Sequence, residues 1–493
     1  MTGIRSIDEI GVDELHGRST TLLDAGHRLA TVVAHDDGDF LRVVYVFTMG
    51  PPDVRHELVV RLNATSPVVP SLSDLSFVAS RFERELHDTF GIVPAGHPFV
   101  RPLVRHQHWP ERWYPLRRDA GPMPAMRDDS APYPFIEVQG AGVYEIPVGP
   151  VHAGLIEPGH FRFSVVGETI LKMTARLWYV HRGIERMLQG ADVASGLQIA
   201  ERISGDTAVG HSLAYCMAVE EARGLVVSDD ALVLRAVLLE MERLYNHVAD
   251  VGALCNDVSF GVADARASVI REQLLRLNES VTGHRFLRGA ISVGATSVKR
   301  LPSRSELLDV AEQFEALVRL ATSNSVVVDR FEGTAVLSAK DALAIGTLGV
   351  VARASGLAID ARAQHPFLAS PSPFEPVIHQ AGDVMARFDQ RVGEVRASLQ
   401  LVEHFCTMAT PLAGSSEVVT PALGSGLGLV EGWRGTIVHR VELDRDGMIS
   451  RGRVVDPSFH NWPALSIALA DTIVPDFPLA NKSFNLSYAG NDL

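Results

Sequence analysis

Only three cysteines occur in 493 residues, Cys216, Cys255 and Cys406, and no two form a Cys-x-x-Cys pair. Neither a disulfide framework nor a thiolate metal cage can be read from them. Basic residues are also short: 45 Lys and Arg against 59 Asp and Glu give a formal charge of −14. Phosphate binding needs a clear basic excess, so nucleic acid is excluded as the main partner. No stretch reaches the ~20 uninterrupted apolar residues of a spanning helix, and even 231–241 is broken by Arg235. The first twenty residues lack the apolar core of a signal peptide, so a cytoplasmic chain is expected. What is present is ordinary globular material, 46% hydrophobic and 21% charged. Its length is about three times that of a typical domain, which calls for more than one core.

Residues 1–120 read as α+β. Two apolar runs over 28–48 flank Asp36-Asp37-Gly38-Asp39, a hairpin signal, and 56–63 is a third strand. Ser71 to Asp74 offer caps for a helix in which Leu75, Val78, Phe82 and Leu86 recur at helical spacing, with Gly91 as its stop. The run 81–88 is read as an acidic, solvated or docking face. Six prolines between 119 and 150 mark a linker over 121–148. Residues 149–493 are then expected to be mostly α, with helices near 168–189, 206–222, 231–251, 264–280, 304–322 and 380–408. A small β element is expected as a hairpin over 434–455.

Two dense segments carry a resemblance. Phe82-Glu83-Arg84-Glu85-Leu86-His87-Asp88, Gly96-His97-Pro98 and Pro115-Leu116-Arg117-Arg118 resemble the 30-kDa-type subunit of respiratory complex I. Gly149-Pro150-Val151-His152, Pro158-Gly159-His160-Phe161-Arg162 and His181-Arg182-Gly183-Ile184-Glu185 resemble its 49-kDa-type subunit and the related large subunit of nickel–iron hydrogenases. The likeness continues through Arg353-Ala354-Ser355-Gly356, Asp360-Ala361-Arg362, Glu431-Gly432-Trp433-Arg434-Gly435 and Asn481-Lys482-Ser483-Phe484-Asn485. With both parts fused, the chain is similar to the large subunit of formate hydrogenlyase and hydrogenase-4 type complexes. The resemblance implies a peripheral arm on the inner face of the membrane. It also implies a small partner subunit holding a 4Fe-4S cluster, and integral membrane partners.

In that family nickel is held by two Cys-x-x-Cys pairs, because soft thiolates suit the metal pair. Here Ser204 and Thr207 stand at the early pair, and Ser487 and Gly490 at the late one. A neutral hydroxyl is a poor nickel ligand and glycine offers none, so no metal is expected. Complex I subunits lacking these cysteines use the emptied cavity for a quinone headgroup, and the resemblance implies quinone as the candidate ligand. The tyrosine donor of that family is replaced by Gly205, and its histidine partner is matched by His160 or His152.

The remaining candidates follow from residue chemistry. Glu201 and Asp206 flank the early motif and form a candidate carboxylate pair with a raised pKa that carries protons. The competing reading pairs Asp206 with Arg202. Arg353, Asp360 and Arg362 are candidate cavity-lining residues, or hold a loop by bidentate pairing. Glu240, Arg243 and His247 share one helix face and read as a structural ion pair, as do His181 and Glu185. The cysteines read as inert core thiols. The leading expectation is a metal-free cavity for quinone-type or proton-coupled electron transfer. The alternatives are a scaffold or conformational coupling role and, needing unprecedented ligands, an active nickel–iron hydrogenase.

Overall fold

A computed structural model describes residues 4–127, 133–368, 374–410 and 423–493. Strands β1 (Ile4–Glu9), β2 (Arg28–Asp36), β3 (Phe40–Met49) and β4 (Val54–Asn63) form one sheet in the order β1-β4-β3-β2. In it β1 runs parallel to β4, and the other neighbours are antiparallel. Helix α1 (Leu15–Asp24) links β1 to β2. The hairpin at Asp36–Asp39 is as the sequence predicts, with Gly38 at φ +95° supplying the left-handed turn residue. Helix α2 (Phe77–Phe90) packs on β2 and ends at Gly91 in the left-handed conformation, as predicted. Its N-cap is Ser76 rather than a residue of 71–74.

The middle of the chain departs from expectation. Residues 168–189 do not form one helix. Strands β5 (Val143–Val148), β6 (His160–Val166) and β7 (Thr169–Arg176) make an antiparallel sheet, followed by a short helix at Ile184–Leu188. Gly167, at φ +60°, turns β6 into β7, and Trp178 and Gly183 also have positive φ, which no continuous helix accommodates. Within the span read as the linker, 143–148 pairs along β6 as an edge strand. Pro147 fits such an edge position, where a missing donor costs little.

The helical part is built on α3 (Ala208–Arg223), α4 (Asp229–Asp257), α5 (Gly261–Thr282), α6 (Arg304–Thr322) and α7 (Val384–Met408). Ser228 caps α4 by accepting from Ala231 N–H, and Asp229 and Asp230 complement the helix dipole in its first turn. Asp383 caps α7 through Ala386 N–H. A three-stranded antiparallel sheet, β8 (Gly424–Gly432), β9 (Gly435–Leu443) and β10 (Ile449–Val455), contains the predicted C-terminal hairpin. Glycines alternate along β8, and a Cβ at Gly424, Gly426 or Gly428 would land 1.9–2.3 Å from the carbonyl oxygens of Ala222, Ala218 and Ala214. The strand therefore lies directly on the backbone of α3, an approach that only glycine permits.

Helix α8 (Pro457–Ala468) and the C-terminal segment close over β7. One apolar core fills the helical bundle; a second is shared by the N-terminal sheet, α2, the β5–β7 sheet and α8. Buried arginines join the two halves: Arg440 to Glu57 at 3.0 Å, and Arg453 to Glu85 at 2.6 Å and Glu185 at 2.9 Å. Among the described residues, no helix is long and apolar enough to cross a membrane.

Candidate functional site

The two segments that correspond to the family's Cys-x-x-Cys pairs meet in space, although 283 positions separate Ser204 from Ser487. Ser204 lies in the turn before α3, and Ser487 caps the last short helix, accepting from Gly490 N–H at 2.9 Å. Their Oγ atoms are 2.9 Å apart. Because Ser204 Oγ donates to Asp206 Oδ1 at 2.8 Å, the proton between the serines belongs to Ser487. Thr207 Oγ1 also donates to Asp206 Oδ1 and accepts from the Trp433 indole at 3.1 Å. A Cβ at Gly490 would sit 2.6 Å from the Asp456 carboxylate. The four positions thus hold neutral hydroxyls already bonded to each other and to Asp206, and a glycine with no room for a side chain. This donor set does not fit a nickel–iron centre, which needs soft anionic sulfur. Among the described residues, no cluster of three His, Cys, Asp or Glu side chains could hold a metal ion.

Asp206 is not half of a raised carboxylate pair, and it does not pair with Arg202. Burial works against its charge, but Arg434 grips it in a bidentate pair at 2.7 and 2.8 Å and holds its pKa well below the usual carboxylate range. Glu201 points elsewhere, accepting from Gly289 N–H at 2.6 Å with Arg202 3.9 Å away. A carboxyl behind the early motif that does rise is Glu242, on α4. It accepts the N–H groups of Val209 and Gly210, at 2.7 and 2.9 Å in the first turn of α3. Burial pushes it up to about 8, and the Asp206 charge adds to the rise.

A cavity of about 690 Å³ opens where these segments meet, lined by His152, Ser204, Asp206, Arg434, Lys482 and Tyr488 among others. His152 Nε2 lies 3.5 Å from the Tyr488 hydroxyl. Burial lowers the His152 pKa and raises that of Tyr488, so one is neutral and the other protonated near pH 7. Among the described residues, no atom lies within 4 Å of where a Cβ at Gly205 would stand, so that position is open. His160 does not line the cavity; its Nδ1 lies 3.2 Å from the Gly149 carbonyl and its ring packs on Phe135.

Arg353, Asp360 and Arg362 do not line it either. They belong to a buried ionic network that also takes in Glu240, Arg243, His247, Glu394 and Glu431. Arg353 reaches Glu431 at 2.7 Å, Glu394 at 2.8 Å and Asp360 at 3.1 Å. Burial opposes the charge of Glu394, yet Arg353 and His247 hold its pKa well below the usual range. Burial and Asp360 push Glu431 upward. The network abuts the site through His247, whose ring meets Trp433 edge-on. His181 and Glu185 are not partners: His181 Nδ1 lies 2.6 Å from the Asp492 carbonyl, and Glu185 takes Arg451 and Arg453.

The sequence alone assigns no role to Trp433, Arg434 or Tyr488 and does not single out Glu242. The one local signal is the place of Arg434 inside a dense motif. The long-range pairings, such as Arg434 with Asp206 and Tyr488 with His152, are visible only in three dimensions.

Residues 12–124 match the family model of the 30-kDa subunit of respiratory-chain NADH dehydrogenase, and 265–415 that of its 49-kDa subunit. Residues 182–255 match the nickel-dependent hydrogenase model. Formate hydrogenlyase subunit 5 of Escherichia coli is 31% identical, over 88% of this chain and 78% of its own length. Hydrogenase-4 component G of Escherichia coli is 32% identical, over 87% and 77%. The NADH-quinone oxidoreductase C/D component of Phocaeicola vulgatus is 29% identical, over 87% and 88%. A polypeptide of the membrane-bound sulfane sulfur reductase, an archaeal respiratory membrane complex, superposes with a TM-score of 0.64 at 25% identity, covering 71% of this chain and 99% of that one. The polypeptide therefore belongs to the family of fused complex I 30-kDa and 49-kDa-type subunits that includes formate hydrogenlyase subunit 5 and hydrogenase-4 component G.

Proposed function

We propose that the chain is a peripheral-arm subunit of a membrane-associated, complex I-like oxidoreductase, and that its metal-free cavity receives a quinone headgroup for proton-coupled electron transfer. The observation that carries this reading is the Tyr488–His152 pair in the wall of a roomy cavity at the vacated ligand positions. A quinone needs a hydrogen-bond donor at its oxygens and a proton source as it is reduced. Tyr488 supplies a protonated hydroxyl from the C-terminal segment, in place of the donor missing at Gly205. Glu242, with a pKa near 8 behind the same motif, holds a proton near neutral pH. Electrons arrive from a 4Fe-4S cluster in a small partner subunit, and integral membrane subunits anchor the arm. The loop bearing His152 exposes Val151 and Leu155 almost completely, as a surface covered by such a partner does.

The test is gentle purification of the complex from membranes, followed by electron-transfer assays with several quinones. Quinone-dependent turnover, reduced by Tyr488→Phe and by His152→Gln, is the expected result. No turnover with any quinone overturns the reading. A scaffold role is favoured by one specific observation: Ser204, Ser487, Thr207, Asp206 and Arg434 satisfy one another without a ligand. A scaffold tolerates His152→Gln and Asp206→Asn alike.

A further inference from the structure

A second pocket, of about 340 Å³, lies where α2 meets β7 and α8, apart from the cavity already described. Its walls include Arg81, Arg84, Arg101, Lys172 and Arg176, with no carboxylate among the described residues lining it. This is notable in a chain of net charge −14. The local structure explains how the cations gather. Positions 77, 81 and 84 fall at helical spacing on one face of α2, and 172, 174 and 176 alternate onto one face of β7.

The carboxylates of α2, read from sequence as a solvated acidic face, are all used elsewhere. Glu83 accepts from the Ser71 hydroxyl and from Leu72 N–H, Glu85 pairs with Arg453, and Asp88 accepts from Leu103, Val104 and Arg105 N–H. None of the five cations makes an ion pair among the described residues. Arg84, Arg101 and Arg176 donate to backbone carbonyls. The deficit is greatest at Arg81. Its Nε and Nη2 are buried without a hydrogen-bond partner among the described residues, and its guanidinium rests on the rings of Phe459 and Trp178 at 4.6 and 5.7 Å. Burial lowers its pKa to about 9.

An unpaired guanidinium in an apolar wall is costly unless something anionic arrives. A guanidinium can bind a carboxylate or phosphate in bidentate fashion, and Arg81, half-buried in the pocket wall, carries two nitrogens without a protein partner among the described residues. The rest of the lining includes the apolar and aromatic side chains of Trp178, Trp462 and Ile467. We infer that this pocket is a binding site for a small organic phosphate whose anionic head meets Arg81 and Lys172 and whose apolar body lies against the tryptophans. The site is independent of the quinone reading.

The test is calorimetric titration of the full chain with inorganic phosphate, adenosine monophosphate and dihexanoyl phosphatidic acid. Saturable binding is expected, with at least one organic phosphate binding about tenfold tighter than inorganic phosphate. Preference for the nucleotide points to a soluble metabolite, and preference for the phosphatidic acid to a lipid headgroup; either supports the site. Arg81→Gln and Lys172→Gln should each weaken binding tenfold or more, and Lys172→Gln, on a partly exposed strand position, decides the matter if Arg81→Gln does not fold. Absence of saturable binding by all three probes overturns the inference, as does unchanged affinity in Lys172→Gln. Binding of a glutamate-rich peptide without any of the phosphates also overturns it, in favour of protein docking.

Discussion

Replacing Arg353 by methionine tests how the buried ionic network works. The guanidinium contacts Glu431, Glu394 and Asp360 within 3.1 Å, and all four side chains are at most 1% exposed. Methionine fills much of the volume but leaves those carboxylates one cation short. Removing one partner of a buried pair costs about 3–5 kcal/mol, because the survivor stays buried and charged. Urea unfolding near neutral pH, followed by tryptophan fluorescence, should show a loss of that size. Arg353→Met combined with Glu394→Gln should lose less than Arg353→Met alone, since the orphaned charge is then gone. The pH dependence has a definite sign. In the parent protein the depressed pKa of Glu394 contributes stability that is present above its unfolded value of 4.5 and lost as pH falls through the folded one. In the variant the largest cause of that depression is gone and the pKa rises, although His247 and Arg243 still face the carboxyl; the penalty should therefore shrink as the medium is acidified and the carboxyl takes up a proton. A loss below ~1 kcal/mol, the scale of an exposed pair, or a penalty that does not shrink on acidification, would refute the argument.

Glu242 gives a second pH signature. Its folded pKa near 8 exceeds the unfolded 4.5, so the fold favours the protonated form and stability falls as pH rises from 4.5 towards 8; Glu242→Gln should flatten that slope in denaturation measured across the window. Arg434→Gln removes the cation that depresses Asp206, and carboxyl-selective NMR titration should find that aspartate titrating at higher pH. A chain with cysteine at 204, 207, 487 and 490 should still bind no stoichiometric nickel by metal analysis, because the Asp456 carboxylate occupies the space a side chain at 490 needs. Iodoacetamide should modify Cys406, which is partly exposed, ahead of buried Cys216 and Cys255, whose thiols burial pushes up.

Much of the architecture was legible locally. The Asp36–Asp39 hairpin, the Gly91 stop and the long helices α3 to α7 follow from turn chemistry and apolar spacing that tertiary contacts do not contradict. The region 168–189 failed because Ile170, Met173 and Leu177 happen to fall at helical steps. Pairing of β7 with β6 and burial under α8 decide their conformation instead, and that pairing has no local signature beyond Gly167. At the site, the substituted ligand positions follow from the family resemblance, and Ser204 and Ser487 do meet. The partners that give the site its electrostatics could not. Arg434 comes from the turn between β8 and β9 and Tyr488 from the C-terminal segment, so neither shares a period with the early motif. The raised carboxyl belongs to Glu242 rather than Asp206 because a cation grips one and not the other.

The alternating glycines of β8 have a mechanical consequence. Where Gly424, Gly426 and Gly428 meet the backbone of α3 directly, a tilt of that sheet is passed to the helix with little slack. The turn carrying Ser204 and Asp206 is the first thing α3 would move, while Arg434 rides on the sheet itself. A partner pressing on the sheet would therefore shift both ends of the Asp206–Arg434 clasp together, keeping it shut during a displacement that a softer interface would turn into a gap.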